Sequence, residues 1–469
     1  MLRGPELGLD QPATAPSGQP RESSLTELRA LLRLSLPIAL TQFGFVAMSL
    51  VETAAVGRVS VDDLAGAGIG RSVGFATIVL GMGVAMGLEP LAAQALGAGE
   101  PARAWQGFVT SLRATLLLWP VSMAASFAVT LSLPVLGLEP AAVLRVRLYL
   151  LGQAPGFAAM LAYISTKTFL QAHGKTTPAL IGTVVANVIN VPVTNLLVRG
   201  DDALRGVGLR PLGLPALGAL GGGIAFSVAS FVLLAFVAVA SLSYRTPLPT
   251  HAPAPRVPLS TAYRLGLPVG LQMLAEVGVF SLVALLSGAL GPEVASAHNI
   301  ALGLASFTFM GAVGVSGATA VRVGRAIGAG RSPRRAGILG IALGATGMII
   351  GAVAFTAVPT LLVRAFTDDE RVVAIGVGLL HIAALFQIFD GVQAVASGAL
   401  RGAGDMRFPF LANVAAHWLV GFPAAITLGF VLHLGAAGLW WGLTAGLVFV
   451  SALLAGRFAM ITRRPIARV

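Results

Sequence analysis

The chain has no cysteine, which excludes disulfide frameworks, thiolate metal sites and cysteine nucleophiles. Charge is nearly as scarce. Only 11% of the 469 residues are Asp, Glu, Lys or Arg, against about 25% in a soluble domain, and a water-soluble fold cannot cover itself with so few ionised groups. Acids are the scarcer sign, 19 against 31 bases, for a net charge of +12. The bases are scattered between apolar runs and not gathered on one domain, so membrane topology accounts for them and no nucleic-acid partner is expected. His173, His298, His381, His417 and His433 are isolated, with no second His at metal-ligand spacing. The Gly-rich stretch LGALGGGIAFS lacks a following Gly-Lys-Ser/Thr, so close helix packing outweighs phosphate binding.

What is abundant is apolar: 56% of the residues are hydrophobic, with 58 Gly and 27 Pro and a mean hydropathy of +0.86. Runs of about 20 apolar residues cross a bilayer as helices. Twelve are predicted, at 34–56, 66–96, 107–136, 143–170, 178–198, 216–243, 265–289, 296–327, 336–363, 371–400, 408–431 and 436–461. The expected fold class is therefore an all-α polytopic membrane protein with twelve transmembrane helices in two pseudo-symmetric six-helix bundles. Residues 1–30 read as a disordered cytoplasmic tail, 31–243 as the first lobe, 244–264 (Pro-rich and polar) as a cytoplasmic linker, and 265–463 as the second lobe. Lys and Arg favour the side of the two termini, which places both in the cytoplasm. A shift of 231 residues lays the halves on each other: LSLP ending at Pro37 falls on LGLP ending at Pro268, and QALGAG ending at Gly99 on RAIGAG ending at Gly330. Pro178 meets Pro409 and Pro192 meets Pro423 at the same shift. Six spans per repeat gives two copies of the same orientation, an arrangement that usually encloses a midplane site.

Four acids fall inside predicted spans, where a carboxylate costs about 2.5–3.5 kcal/mol and is a functional candidate by default. Glu276 is near the middle of the seventh span, with Gln272 one turn earlier. Asp390 is mid-span in the tenth, with Gln387 and Gln393 three residues either side, making one polar stripe. Two carboxylates in one bundle can hold Na⁺ with amide oxygens or exchange a proton, and residue type leaves both open. Glu52 lies toward the outer end of the first span, where reaching the interface weighs evenly against function. Glu89, before Pro90, is expected to make a structural or gating contact. His298 opens the eighth span as a packed or capping residue.

In order along the chain, VETAAVGR, EPLAAQALGAG, LAEVGVFSLVALL, AHNIALG, RVGRAIGAG and FQIFDGVQAVASGALRGAGDMRFP resemble the multidrug and toxic compound extrusion (MATE) family, especially its NorM-like bacterial members. The resemblance covers the chain after residue 30. It implies a V-shaped pair of six-helix lobes around a central cavity, exporting organic cations in exchange for Na⁺ or H⁺. It also implies a cation-coupling site at Glu276 and Asp390, which would hold Na⁺ in a sodium-coupled protein, with Gln272 and Gln387 beside them. Glu52 matches a first-lobe acid that is usually Asp. Asn190 and Pro192 match an Asn-x-Pro-x-Asn pattern in which Thr194 replaces the second Asn, so Glu52, Asn190 and Thr194 form a possible first-lobe site. Phe386 stands where such proteins often carry Tyr, and can offer cation-π attraction but no hydroxyl.

The expected function is thus a secondary active antiporter, a monomer in the inner membrane, working by alternating access with a small organic cation as substrate and no cofactor beyond the coupling ion. A lipid-linked oligosaccharide flippase of the same superfamily is the alternative. That alternative would line its cavity with bases, whereas the mid-span charges here are expected to be mainly acidic. An intramembrane enzyme is disfavoured, because the paired acids Asp62–Asp63 and Asp201–Asp202 are assigned to external loops.

Overall fold

A computed structural model describes residues 23–206, 208–245 and 257–469. Residues 1–22 of the expected tail and 246–256 of the expected linker lie outside the described residues. Among the described residues there is no strand, and twelve helices are long and apolar enough to cross a membrane. They are α1 (Ser24–Val56), α2 (Val61–Gly97), α3 (Pro101–Val129), α4 (Pro140–Ala172), α5 (Thr177–Arg199), α6 (Gly218–Leu242), α7 (Leu259–Ala289), α8 (Pro292–Gly328), α9 (Arg334–Ala357), α10 (Glu370–Gly402), α11 (Arg407–Val431) and α12 (Gly435–Ile461). Leu117, Val188, Leu285 and Ile350 stand well exposed on their outer faces, a liability in water but the natural surface toward acyl chains.

Several limits depart from the expected ones, each for a local reason. Helix α1 starts at Ser24, so residues 24–30, expected in the tail, are helical: the Ser23 hydroxyl accepts the Thr26 N–H and caps the first turn. Helix α7 starts at Leu259, so 259–264 of the expected linker are helical too. The Tyr263 hydroxyl donates to the Ala114 carbonyl of α3 and holds that turn in place. Asp63 is not in an external loop; it belongs to the first turn of α2, is buried, and accepts the Ala219 N–H at the start of α6. Pro359, without an N–H, ends α9 early and opens a short helix, Pro359–Arg364. Helix α2 is broken at Gly87, just before Pro90. In α11, Ala415–Gly421 and Thr427–Val431 are wound as π-helix on either side of Pro423, a form that recurs at functional sites.

The two halves repeat one another contact for contact. In the first, α1 packs on α5, α2 on α3 and α4, α3 on α4, and α6 on α4 and α5; in the second, α7 packs on α11, α8 on α9 and α10, α9 on α10, and α12 on α10 and α11. Between halves, α1 meets α8 and α2 meets α7, which under the 231-residue shift is one contact made twice. The residues agree. A Cβ on Gly83 would collide with the backbone of Gly266 and Gly270, and one on Gly314 with Ser35 and Ala39, the shifted equivalents. Gly97 lies on the Arg325 backbone as Gly328 lies on that of Gln94, while Gly324 faces Ala93, its own counterpart. A pseudo-two-fold axis therefore passes beside Ala93 and Gly324. Small residues permit this approach, and in a bilayer such packing replaces the hydrophobic drive between helices.

Alanine at Gly83 or Gly314 should therefore overpack the seam and cost about 1–3 kcal/mol each, read as a lower thermal midpoint of the purified protein. Gly347→Ala, where an added Cβ meets nothing within 4 Å, is the control. Equal midpoints for all three variants would contradict the seam.

Candidate functional site

A cavity of about 550 Å³ lies mainly within the first lobe. It is walled by α1, α2, α4, α5 and α6, and by Met273 of α7, four residues of α8 and Arg401 of α10. Methionine and phenylalanine dominate the wall: Met48, Met82, Met160, Met310, Phe75 and Phe157 among them. These are polarizable or aromatic surfaces that adapt to varied ligands. Five ionisable side chains interrupt it: Glu52, Glu89, Arg71, Lys167 and Arg401. The expectation of mainly acidic mid-span charge is therefore corrected here. Three of the five are bases, and the sequence reading passed over them although Arg71 and Lys167 fell inside predicted spans.

At one end, Glu52 of α1 is 7% exposed, with the Tyr149 phenol beside it and Arg71 within electrostatic range. Arg71 Nη1 donates to Ser49 Oγ at 2.9 Å and Thr53 Oγ1 at 3.1 Å, on α1 either side of Glu52. The buried oxygens Asn190 Oδ1 and Gln153 Oε1, both on residues of the cavity wall, have no hydrogen-bond partner among the described residues. Thr194, one turn beyond Asn190, is fully buried and its hydroxyl is likewise unpartnered. The structure thus puts Glu52 and Asn190 on one wall, with Thr194 behind it.

At the other end, Glu89 accepts from Arg401 Nε at 3.0 Å, and Arg401 also donates to Ser316 Oγ at 3.2 Å and Ser397 Oγ at 3.4 Å. Glu89 is 5% and Arg401 8% exposed, so this ion pair between α2 and α10 joins the lobes inside the protein. A second pair, Glu27 of α1 with Arg322 of α8, joins them nearby. Gln94 adds to the same end, donating to the Gly402 carbonyl at 3.0 Å and accepting the Val469 N–H at 2.9 Å.

Glu276 and Asp390 are outside this cavity, within the second lobe. Glu276 is held by two amides: Gln393 Nε2 of α10 donates to one carboxylate oxygen and Asn413 Nδ2 of α11 to the other, both at 3.5 Å. Asp390, 8% exposed, lies one turn before Gln393 and is electrostatically coupled to Glu276. Among the described residues neither carboxylate has an ion-pair partner. The far atoms of the amides, Gln393 Oε1 and Asn413 Oδ1, are buried and unpartnered, as are both ring nitrogens of His417. Two carboxylates and two free amide oxygens make a donor set that a hard cation accepts. Among the described residues no group of three or more His, Cys, Asp or Glu is placed to hold a metal ion.

The other predicted residues are placed differently. Gln272 donates to Ser397 Oγ at 3.4 Å, toward Arg401 and away from the carboxylates. Gln387 accepts from Thr308 of α8 at 2.7 Å and leaves its own Nε2 unpartnered. Phe386 is buried edge-on against Phe280 and Trp440, and His298 Nδ1 accepts from Trp440 Nε1 at 3.2 Å. Asn413 was missed, and His417 was set aside as an isolated histidine. Their signal was present, as polar side chains in the apolar run NVAAHWL.

The MatE family model matches residues 37–196 and again 268–427, two stretches whose starts and ends are each 231 residues apart. The chain belongs to the MatE family. It is a membrane transporter, not an enzyme. Relatives that cover it nearly end to end are the probable multidrug resistance protein NorM of Deinococcus radiodurans, 36% identical over 95% of this chain and 98% of that one, and its Bradyrhizobium diazoefficiens counterpart, 33% identical over 96% of each. Among solved structures, the eukaryotic MATE transporter AtDTX14 superposes with a TM-score of 0.79 at 21% identity, over 95% of this chain and 100% of that one. An outward-facing multidrug resistance MATE transporter superposes with a TM-score of 0.81 at 18% identity, over 93% and 96%.

In this MatE protein, Glu89→Gln would leave the Arg401 charge buried without its partner. A loss of about 3–5 kcal/mol is expected, measured as a drop in thermal midpoint, with much of it recovered in the double variant Glu89→Gln/Arg401→Leu. A midpoint unchanged in the single variant would show that the pair contributes nothing to the seam.

Proposed function

We propose that the protein is a multidrug antiporter of the inner membrane, a monomer with both termini cytoplasmic, that exports amphipathic organic cations in exchange for Na⁺ or H⁺. The relatives' names support drug export. The observation that carries the coupling is the Glu276–Asp390 pair: two neighbouring buried carboxylates, unpaired by any base among the described residues and backed by unpartnered amide oxygens. Mutual repulsion favours taking up one positive charge there, and a proton or an alkali cation satisfies that equally.

Alternating access supplies the link between this pair and the cavity. The seam of glycines and the Glu89–Arg401 pair joins the lobes on the side where α1 begins. With that side cytoplasmic, the lobes are closed toward the cytoplasm. Inward opening then requires those contacts to part while the two lobes, α1–α6 and α7–α12, rock about the axis. Exchange follows thermodynamically if coupling ion and drug prefer different states. The flippase alternative gains from the three bases in the cavity, but its polar glycan fits poorly on a wall of Met and Phe; failure to complement a flippase-deficient strain would set it aside.

Reconstituted in proteoliposomes, the protein should move a cationic dye under an imposed Na⁺ gradient or under a proton gradient alone, and the effective gradient names the ion. Glu276→Gln and Asp390→Asn should each abolish that movement while the protein still inserts. Undiminished gradient-driven transport in either variant would refute the coupling site.

A further inference from the structure

The basic end of the cavity holds a charge that the exchange of cations leaves unused. Lys167 of α4 lines the cavity, yet makes no hydrogen bond or ion pair among the described residues. The Tyr163 ring lies beside it, with its centroid 5.6 Å from Nζ. Glu89 is within electrostatic range, but that carboxylate is already engaged by Arg401 at 3.0 Å. Lys167 and Arg401 against Glu89 leave one positive charge in excess. Gln171 follows Lys167 by four residues, on the same helix face, and lines the same wall, as does Thr168. A lysine within a span is costly unless something answers it. As a compact charge on a flexible stem it can meet a ligand entering from the side.

We propose that Lys167 and Gln171 form the subsite in the cavity that holds the anionic group of an amphipathic substrate and so set the preference between acids and their neutral esters. The apolar body of such a molecule rests on Met82, Met86, Met160 and Phe157, and its carboxylate takes charge-assisted hydrogen bonds from the ammonium. The inference rests on the cavity being the substrate path of the exporter, and sorts substrates within it.

The test uses a rhodamine with a free carboxylate and its methyl ester, two probes that share one aromatic body. Binding to the purified full-length protein is followed by fluorescence anisotropy. In Lys167→Gln the affinity for the acid relative to the ester should fall about tenfold, the size of one charged hydrogen bond. Lys167→Arg should restore the ratio, and Gln171→Leu should lower it more modestly. Because each variant is judged by its own ratio, a loss of folded protein cancels. An unchanged ratio in both Lys167→Gln and Gln171→Leu overturns the subsite. Wild-type protein that binds the ester but rejects the acid also overturns it and leaves the export function standing, whereas wild-type protein that binds neither dye counts against the export function itself.

Discussion

Backbone-on-backbone contact between the lobes is the constraint on which everything else here depends. Gly83 against Gly266 and Gly270, and Gly314 against Ser35 and Ala39, bring α2 to α7 and α8 to α1 closer than any side chain allows. With lipid around the bundle, no hydrophobic drive holds the lobes together, so the seam relies on dispersion between closely fitted backbones and on a few buried polar pairs. The ion pairs Glu89–Arg401 and Glu27–Arg322 are built at that same end. Contacts of this kind either fit or separate; they do not stretch. A rigid-body change between two arrangements is the motion such a seam permits.

The scaffold is duplicated but the chemistry is not. At the 231-residue shift Glu276 falls on Phe45 and Glu52 on Val283, and between α4 and α10, where Gly174 matches Gly404 at a shift of 230, Asp390 falls on Met160, Lys167 on Ser397 and Arg401 on Gln171. Each lobe therefore carries its own ionisable groups at positions where the other has an uncharged residue. The first lobe carries the mixed-charge cavity; the second carries the unpaired acids. A cavity in one lobe and an acid pair in the other can be separate and still be mechanically linked, because both lobes share one seam.

The twelve spans, their order and the internal repeat were legible in the sequence because hydropathy and the positions of Gly and Pro are local signals that survive without tertiary information. Helix starts were less so. The first turns of α1 and α7 carry the polar stretches around Glu27 and Arg264, and a hydropathy window begins only where those end. Facing direction was the larger gap: Arg71, Lys167 and Arg401 sat in or beside predicted spans, yet nothing in the residue order tells which wall a helix presents. For the same reason Gln272 and Gln387 were grouped with the carboxylates on periodicity, whereas packing turns them toward Ser397 and Thr308. The π-wound turns of α11, which carry His417 just after Asn413, leave no trace in composition at all.

The Met- and Phe-rich wall has a consequence for how such a pump changes under selection. Its side chains are similar in volume and line a cavity that excludes the Glu276–Asp390 pair, so they can be exchanged one at a time without unmaking the fold. New resistance spectra would then arise by drift at places such as Phe75, Met82 and Met160, while the moving parts stay frozen.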